Sequence, residues 1–231
     1  MTPMIWLEEF YLNTKSITEL IVGLHGQIEV RYNDLSPEVI TDQDRLKLVV
    51  LSHPHPLYGG TMNNKVVTSM ERAFQALGYV TVAYNFRGVG KSSGEHDHGV
   101  GELDDLLHVV EWAKARFKSA KSTHLTLAGF SFGSYVVLKA YKAFNKVLAV
   151  DALCTVAPPV GLYDFSEIHP VQVPWTLIQG GKDEVVSASD ILDWAMSGEN
   201  QPDVYWRAGA SHFLHGELIW LKNIILLSHS L

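Results

Sequence analysis

Residues 124–133 read His-Leu-Thr-Leu-Ala-Gly-Phe-Ser-Phe-Gly, and residues 134–144 continue Ser-Tyr-Val-Val-Leu-Lys-Ala-Tyr-Lys-Ala-Phe. His124 to Ala128 is a short β-type run. Val137, Leu138, Tyr141 and Phe144 then recur at helical spacing. The junction, Gly129-Phe130-Ser131-Phe132-Gly133, matches G-x-S-x-G where that pattern carries meaning, between a strand and a helix. Glycines on both sides permit a sharp turn that would lift the Ser131 hydroxyl above the end of a sheet. A serine that caps a helix is the plain alternative, but the flanking glycines and abutting strand favour a nucleophile.

The same strand-then-helix alternation extends in both directions. Strands are expected at Leu46 to Ser52, Tyr79 to Tyr84, Ala149 to Val156, Pro174 to Gln179 and Val204 to Arg207. Several are apolar on both faces, as strands of a covered parallel sheet must be. Between them Val66, Met70, Ala73, Phe74 and Leu77 share one helical face, as do Leu103, Leu106, Leu107, Val110 and Phe117. Glu217 to Leu227 reads as a packed terminal helix. Repeated strand and helix predict a doubly wound α/β sheet. Ile17 to Leu24 and Gln27 to Tyr32, around His25-Gly26, predict an antiparallel edge hairpin. The expected total is eight strands, six of them parallel, in one domain over 1–231, with 1–45 as edge hairpin and connection.

The chain has 231 residues, 47% hydrophobic and 19% charged, enough for a sizeable core and unlike a disordered segment. Its net charge of −7 opposes nucleic acid and anionic membranes as partners. One cysteine, Cys154, can form neither an internal disulfide nor a zinc site and is expected in the core. A reducing cytoplasm fits. No secretory signal is apparent at the N-terminus, and Asp151 and Lys222 interrupt the two most apolar stretches before they reach membrane-spanning length.

A second match, Gly90-Lys91-Ser92-Ser93-Gly94, is followed by polar residues rather than a helix and reads as a loop. It is no phosphate loop, since Asn85 stands where the first glycine is required. Gly88-Val89-Gly90 likewise lacks the third glycine of a dinucleotide fingerprint, at Ser93.

A serine hydroxyl needs a base, and the base an orienting carboxylate. Along the chain, an elbow nucleophile is followed by the acid and then the histidine. Asp183 follows a strand and two glycines in Gln179-Gly180-Gly181-Lys182-Asp183 and is the candidate acid, with Asp164 and Glu184 as fallbacks. His212, in Ala210-Ser211-His212 after the last strand, is the candidate base, with His215 its rival.

An oxyanion hole needs two backbone N–H groups. Phe132, after the nucleophile, is one candidate. The other belongs to the loop His53-Pro54-His55-Pro56-Leu57-Tyr58, in which the prolines cannot donate. That leaves Leu57 or His55, with Leu57 preferred because the chain loosens into glycines after it. His55 and Tyr58 are the candidates for substrate contact, although His53 and His55 read more readily as packing beneath the site. Arg87 is expected to brace its loop through Glu95 or Asp97. His96-Asp97-His98 has no second cluster at metal-ligand spacing, so no metal is expected.

The segments LSHPHPLYGGTMNNKVV, YNFRGVGKSSG, GFSFGS, GGKDEVV and GASHFLHG, in this order, resemble the small lidless bacterial α/β-hydrolases related to dienelactone hydrolase. The resemblance runs from Ile17 to Ser228. It departs at Lys91, where relatives often carry arginine, and at the hairpin turn, where they usually carry proline-glycine. The resemblance implies an α/β-hydrolase fold with an eight-stranded, mostly parallel sheet and a serine triad at Ser131, Asp183 and His212. The expected activity is hydrolysis of a carboxylic ester or related acyl bond of a small molecule, with no cofactor. A non-catalytic binding protein of the same fold, a peptidase and an acyltransferase are the alternatives. Ala157 to Val173, 17 residues, is too short for a lid domain.

Overall fold

The computed structural model describes residues 15–34, 45–117 and 121–230. The parts of the 1–45 expectation that fall on 1–14 and 35–44 lie outside them. In chain order the elements are β1 (Lys15–Gly23), β2 (Gly26–Asp34), β3 (Arg45–Ser52), α1 (Lys65–Ala76), β4 (Val80–Tyr84), α2 (Gly101–Arg116) and β5 (Ser122–Phe130). There follow α3 (Phe132–Leu148), β6 (Ala152–Val156), β7 (Trp175–Gly180), α4 (Ala188–Met196), β8 (Asp203–Arg207) and α5 (Leu218–Ser228).

All eight strands join one sheet in the order β1-β2-β4-β3-β5-β6-β7-β8. β1 pairs with β2, and β2 with β4, antiparallel. From β4 through β8 every pairing is parallel.

The sequence of β3 shows why both faces are covered. Leu48 and Val50 enter the core layer packed by α2 and α3, and Val49 and Leu51 enter the opposite layer packed by α1 and α5. All four are buried, as the side-to-side alternation of a strand requires when helices lie on both faces. β5 repeats this, sending Leu125 and Leu127 to one layer and Ala128 and Phe130 to the other.

Strand boundaries differ from the sequence expectation by up to three residues, most at the start of β6. The strand expected from Ala149 begins at Ala152, because α3 runs on to Leu148 and ends with Ala149 left-handed at φ 50°. Asn145 then accepts the Val150 N–H, and Asp151 accepts the Leu125 N–H, so side chains hold this stretch outside the ladder. Among the described residues no helix is long and apolar enough to cross a membrane.

This topology brings the ends of β3, β5, β7 and β8 to one edge of the sheet. Ligands of open α/β sheets bind at that carboxyl edge.

Candidate active site

Ser131 lies between β5 and α3 with φ 52° and ψ −120°. A non-glycine residue there carries strain of order 1–3 kcal/mol. Its N–H donates to the Val156 carbonyl at 2.8 Å, which pins the turn to β6. The glycines serve close approach. A Cβ on Gly129 would lie 2.3 Å from the Gly133 carbonyl oxygen, and one on Gly133 would lie 2.2 Å from that of Ser52.

The strained turn points the hydroxyl at His212. Ser131 Oγ is 3.0 Å from His212 Nε2, and His212 Nδ1 is 2.8 Å from Asp183 Oδ2. An ionised carboxylate only accepts, so Nδ1 carries the ring proton and Nε2 is left to accept the serine hydroxyl. Burial raises the Asp183 pKa, but the His212 bond and the Val186 and Val185 N–H groups outweigh it and hold the pKa below the ordinary value. Asp183 Oδ1 accepts both of those N–H groups at 2.9 Å. Gln179 Nε2 also donates to Oδ2, at 3.1 Å. Serine, histidine and aspartate, 81 and 29 positions apart along the chain, thus form one continuous line of hydrogen bonds.

The fallback residues lie elsewhere. Asp164 is exposed and bonds Ser166. His215 is exposed beside Phe213. Glu184 does reach His212, but through its backbone, accepting the N–H at 3.0 Å. The sequence offers no signal for that role, since an acid following an acid at a strand end reads as solvated.

The preferred second oxyanion donor requires correction. The Leu57 N–H donates to the His55 ring at 3.2 Å, and Leu57 faces a separate groove beside Arg87 and His96. The turn Pro56–Tyr58 is a tight 3-10 turn with His55 as its cap, and the cap consumes the Leu57 donor. His55, by contrast, lines the cavity over Ser131. Among the described residues its N–H has no partner, nor has that of Phe132, the first residue of α3.

Burial and the neighbouring His96 lower the pKa of His55, and its ring packs 5.2 Å from Phe132. Tyr58 is 87% exposed at the cavity mouth. His53 is fully buried under the site. Its Nδ1 donates to the Pro54 carbonyl at 2.6 Å, its Nε2 accepts the Phe86 N–H at 3.0 Å, and burial takes its pKa down to about 4. It is a neutral staple between the loops after β3 and β4.

The second G-x-S-x-G segment is a clasp. Ser92 Oγ donates to the Asn85 carbonyl at 2.7 Å and accepts the Glu29 N–H at 2.9 Å, while Glu29 Oε2 accepts from Asn85 Nδ2 and the Lys91 N–H. Arg87 braces its loop through a residue that sequence spacing does not single out. It is held through two nitrogens by Asp105 on α2, with Asp97 farther off at 3.9 Å and Glu95 not paired with it. Helical spacing places Asp105 beside Leu106 but does not reveal that it turns inward. His96 faces the buried Glu102 at 2.8 Å, and no group of three metal-ligating side chains occurs among the described residues. Cys154 is buried within β6, as expected, and burial pushes its thiol up to about 12.

Above Ser131 lies a cavity of about 590 Å³ lined by the Ser131–Phe132 elbow and by residues that follow β3, β4, β6, β7 and β8, His98 coming from the loop after β4. Pro159, Leu162 and Tyr163 come from the short segment after β6, so the stretch too small to form a lid supplies a wall.

A serine at a strained strand-to-helix turn, on an eight-stranded sheet of this order, defines an α/β serine hydrolase. Residues 34–169 match the model of the X-Pro dipeptidyl-peptidase (S15) family, and the chain belongs to that family. XC6422 from Xanthomonas campestris, described as an α/β serine hydrolase without lid, is 39% identical with a TM-score of 0.82, the match covering 93% of this chain and 94% of that one. The uncharacterized protein RP471 of Rickettsia prowazekii is 34% identical over 200 residues, 83% of this chain and 79% of that protein. The rat lysophosphatidylserine lipase ABHD12 is 27% identical over 134 residues, 56% of this chain but 33% of that protein.

Proposed function

We infer that the protein cleaves a carboxylic ester, or a related acyl bond of a small molecule, through a covalent acyl-enzyme. The observation that carries this reading is the unbroken line from Ser131 Oγ through His212 to Asp183. Ser131 Oγ attacks the acyl carbon as its proton passes to His212 Nε2, and the acyl oxygen becomes an oxyanion held by the Phe132 and His55 N–H groups. His212 returns the proton to the leaving oxygen, which departs as an alcohol. Water then repeats the sequence on the acyl-serine, releasing the acid. Asp183 stabilises the imidazolium in both halves.

The cavity favours an ester over an X-Pro dipeptide. A peptidase that releases dipeptides must hold a free α-ammonium, for which a carboxylate is the natural partner, and among the described residues no Asp or Glu lines the cavity. The rat relative's name, a lipase, points the same way.

A fluorophosphonate probe together with p-nitrophenyl esters tests the proposal. Wild type is labelled and turns esters over, whereas Ser131→Ala does neither. Equal labelling of both proteins rejects the assignment, and no labelling of a folded wild type returns the chain to a binding role. Faster release from amides, or transfer to added alcohols in preference to water, replaces esterase with peptidase or acyltransferase.

A further inference from the structure

The proton-return step assigns the two sides of the cavity. The leaving group must lie by His212 Nε2, on the side where Val185 and Phe213 follow Asp183 and His212 along the chain. Among the described residues the ring contacts divide the cavity the same way, His212 touching Phe213 while His55 touches Tyr58, Phe132 and Tyr163 with no ring contact between the two groups, so the acyl group is assigned to the His55 side. That side is built of rings. Around His55 stand Tyr58 at 4.8 Å, Phe132 at 5.2 Å and Tyr163 at 6.4 Å, measured between ring centroids.

Tyr163 is held from behind, stacked on Tyr135 at 4.6 Å and 29° and tilted against Phe132 at 5.4 Å. A ring braced on two others keeps its orientation when a ligand arrives, which lowers the ordering cost of binding. Among the described residues no Lys or Arg lines the cavity, so an anionic acyl group finds no permanently positive side chain there, and burial pushes the Tyr163 hydroxyl up to about 12, so it adds no charge.

We propose that the acyl side of this site selects an uncharged aromatic acyl group, with Tyr163 as the residue that determines the preference. The proposal rests on the serine hydrolase reading above. An aromatic guest gains from offset or edge contacts with fixed rings something that a saturated ring of similar size cannot.

The test uses p-nitrophenyl phenylacetate, p-nitrophenyl cyclohexylacetate and the p-nitrophenyl half-ester of succinate. The methylene insulates the ester from the ring, so the first two differ little in intrinsic reactivity. The expected kcat/KM favours phenylacetate over cyclohexylacetate by between about twofold and tenfold. The succinate half-ester should fall below phenylacetate by at least about tenfold. In Tyr163→Leu the aromatic-to-saturated ratio should drop to about one, a readout that does not depend on how much active enzyme survives the substitution.

Equal or better use of cyclohexylacetate, or a preference for the succinate half-ester, in an enzyme whose turnover needs Ser131 overturns this proposal and leaves the hydrolase reading standing. An unchanged ratio in Tyr163→Leu removes Tyr163 as the determinant. Absence of Ser131-dependent turnover and labelling brings both readings down together.

Discussion

Glu184 Oε2 accepts the backbone N–H of His212 at 3.0 Å, one residue after the carboxylate that faces the ring of the same histidine. Adjacent acids thus hold one residue twice, by ring and by main chain. Glu184→Gln keeps an acceptor oxygen and should leave kcat within about threefold, whereas Glu184→Ala should lower kcat by about tenfold with little change in KM, through misplacement of the base. Steady-state kinetics of the two variants check this, and a loss in Glu184→Ala confined to KM would refute it.

Asp183→Asn should cost far more, about 10³- to 10⁴-fold in kcat. The amide nitrogen can face Nδ1 as a donor and turn the ring to the tautomer that cannot accept from Ser131. Because the Asp183 pKa is held below its ordinary value, the aspartate stays ionised through the neutral range. The Asp183 carboxyl should therefore show no protonation until the pH falls below its ordinary range near 4, as the carbon-13 shift of that carboxyl in labelled, folded protein would record, and protonation at higher pH would contradict it.

Ser92→Ala separates the two G-x-S-x-G segments. The variant should keep fluorophosphonate labelling at Ser131 but lose about 1–3 kcal/mol of stability, because the buried Glu29 N–H and Asn85 carbonyl lose a shared partner. Loss of labelling without loss of stability, measured by denaturant unfolding, would contradict the clasp.

Gly133→Ala places a Cβ 2.2 Å from the Ser52 carbonyl oxygen and 2.7 Å from that of His53, both backbone atoms. Relief requires moving β3 or the elbow, at about 1–3 kcal/mol. For a chain of this size the expected drop in Tm is several degrees, accompanied by loss of turnover. An unchanged Tm would show that the elbow has slack.

Acid should destabilise the fold through buried histidines. Burial takes His53 and His229 down to about 4 from an ordinary value near 6.5, and lowers His124 as well. Between those values the unfolded chain binds more protons than the folded one, so stability is complete above about pH 6.5 and falls as pH drops toward 4. The scale is on the order of a few kcal/mol in total. Urea unfolding from pH 7.5 to 5 should show this, with a shallower slope in His229→Gln, whose wild-type Nε2 is buried without a hydrogen-bond partner among the described residues. An identical slope in the variant would take His229 out of the account.

The strand-helix alternation, the edge hairpin and the elbow at Ser131 are legible in the order of residues alone. Each is a local pattern: runs apolar on both faces, helical spacing, and a serine between glycines at a strand-to-helix junction. Asp183 and His212 were also legible, because each follows a strand at the edge where parallel sheets collect their functional residues. The end of α3 was less so, since Val147 and Val150 look β-prone while side-chain caps decide where the ladder starts.

Packing settles which N–H of the His55–Leu57 loop is free, because the cap that occupies Leu57 depends on a ring orientation no spacing encodes. It alone made Ser92 a clasp, set Asp105 rather than Glu95 on Arg87, put Glu184 on the main chain of His212 and turned Tyr163 inward against Tyr135. These are contacts between residues distant in the chain or turned by a single dihedral. Periodicity reports which face of its own element a side chain occupies, and the partner it meets there is settled when the elements pack.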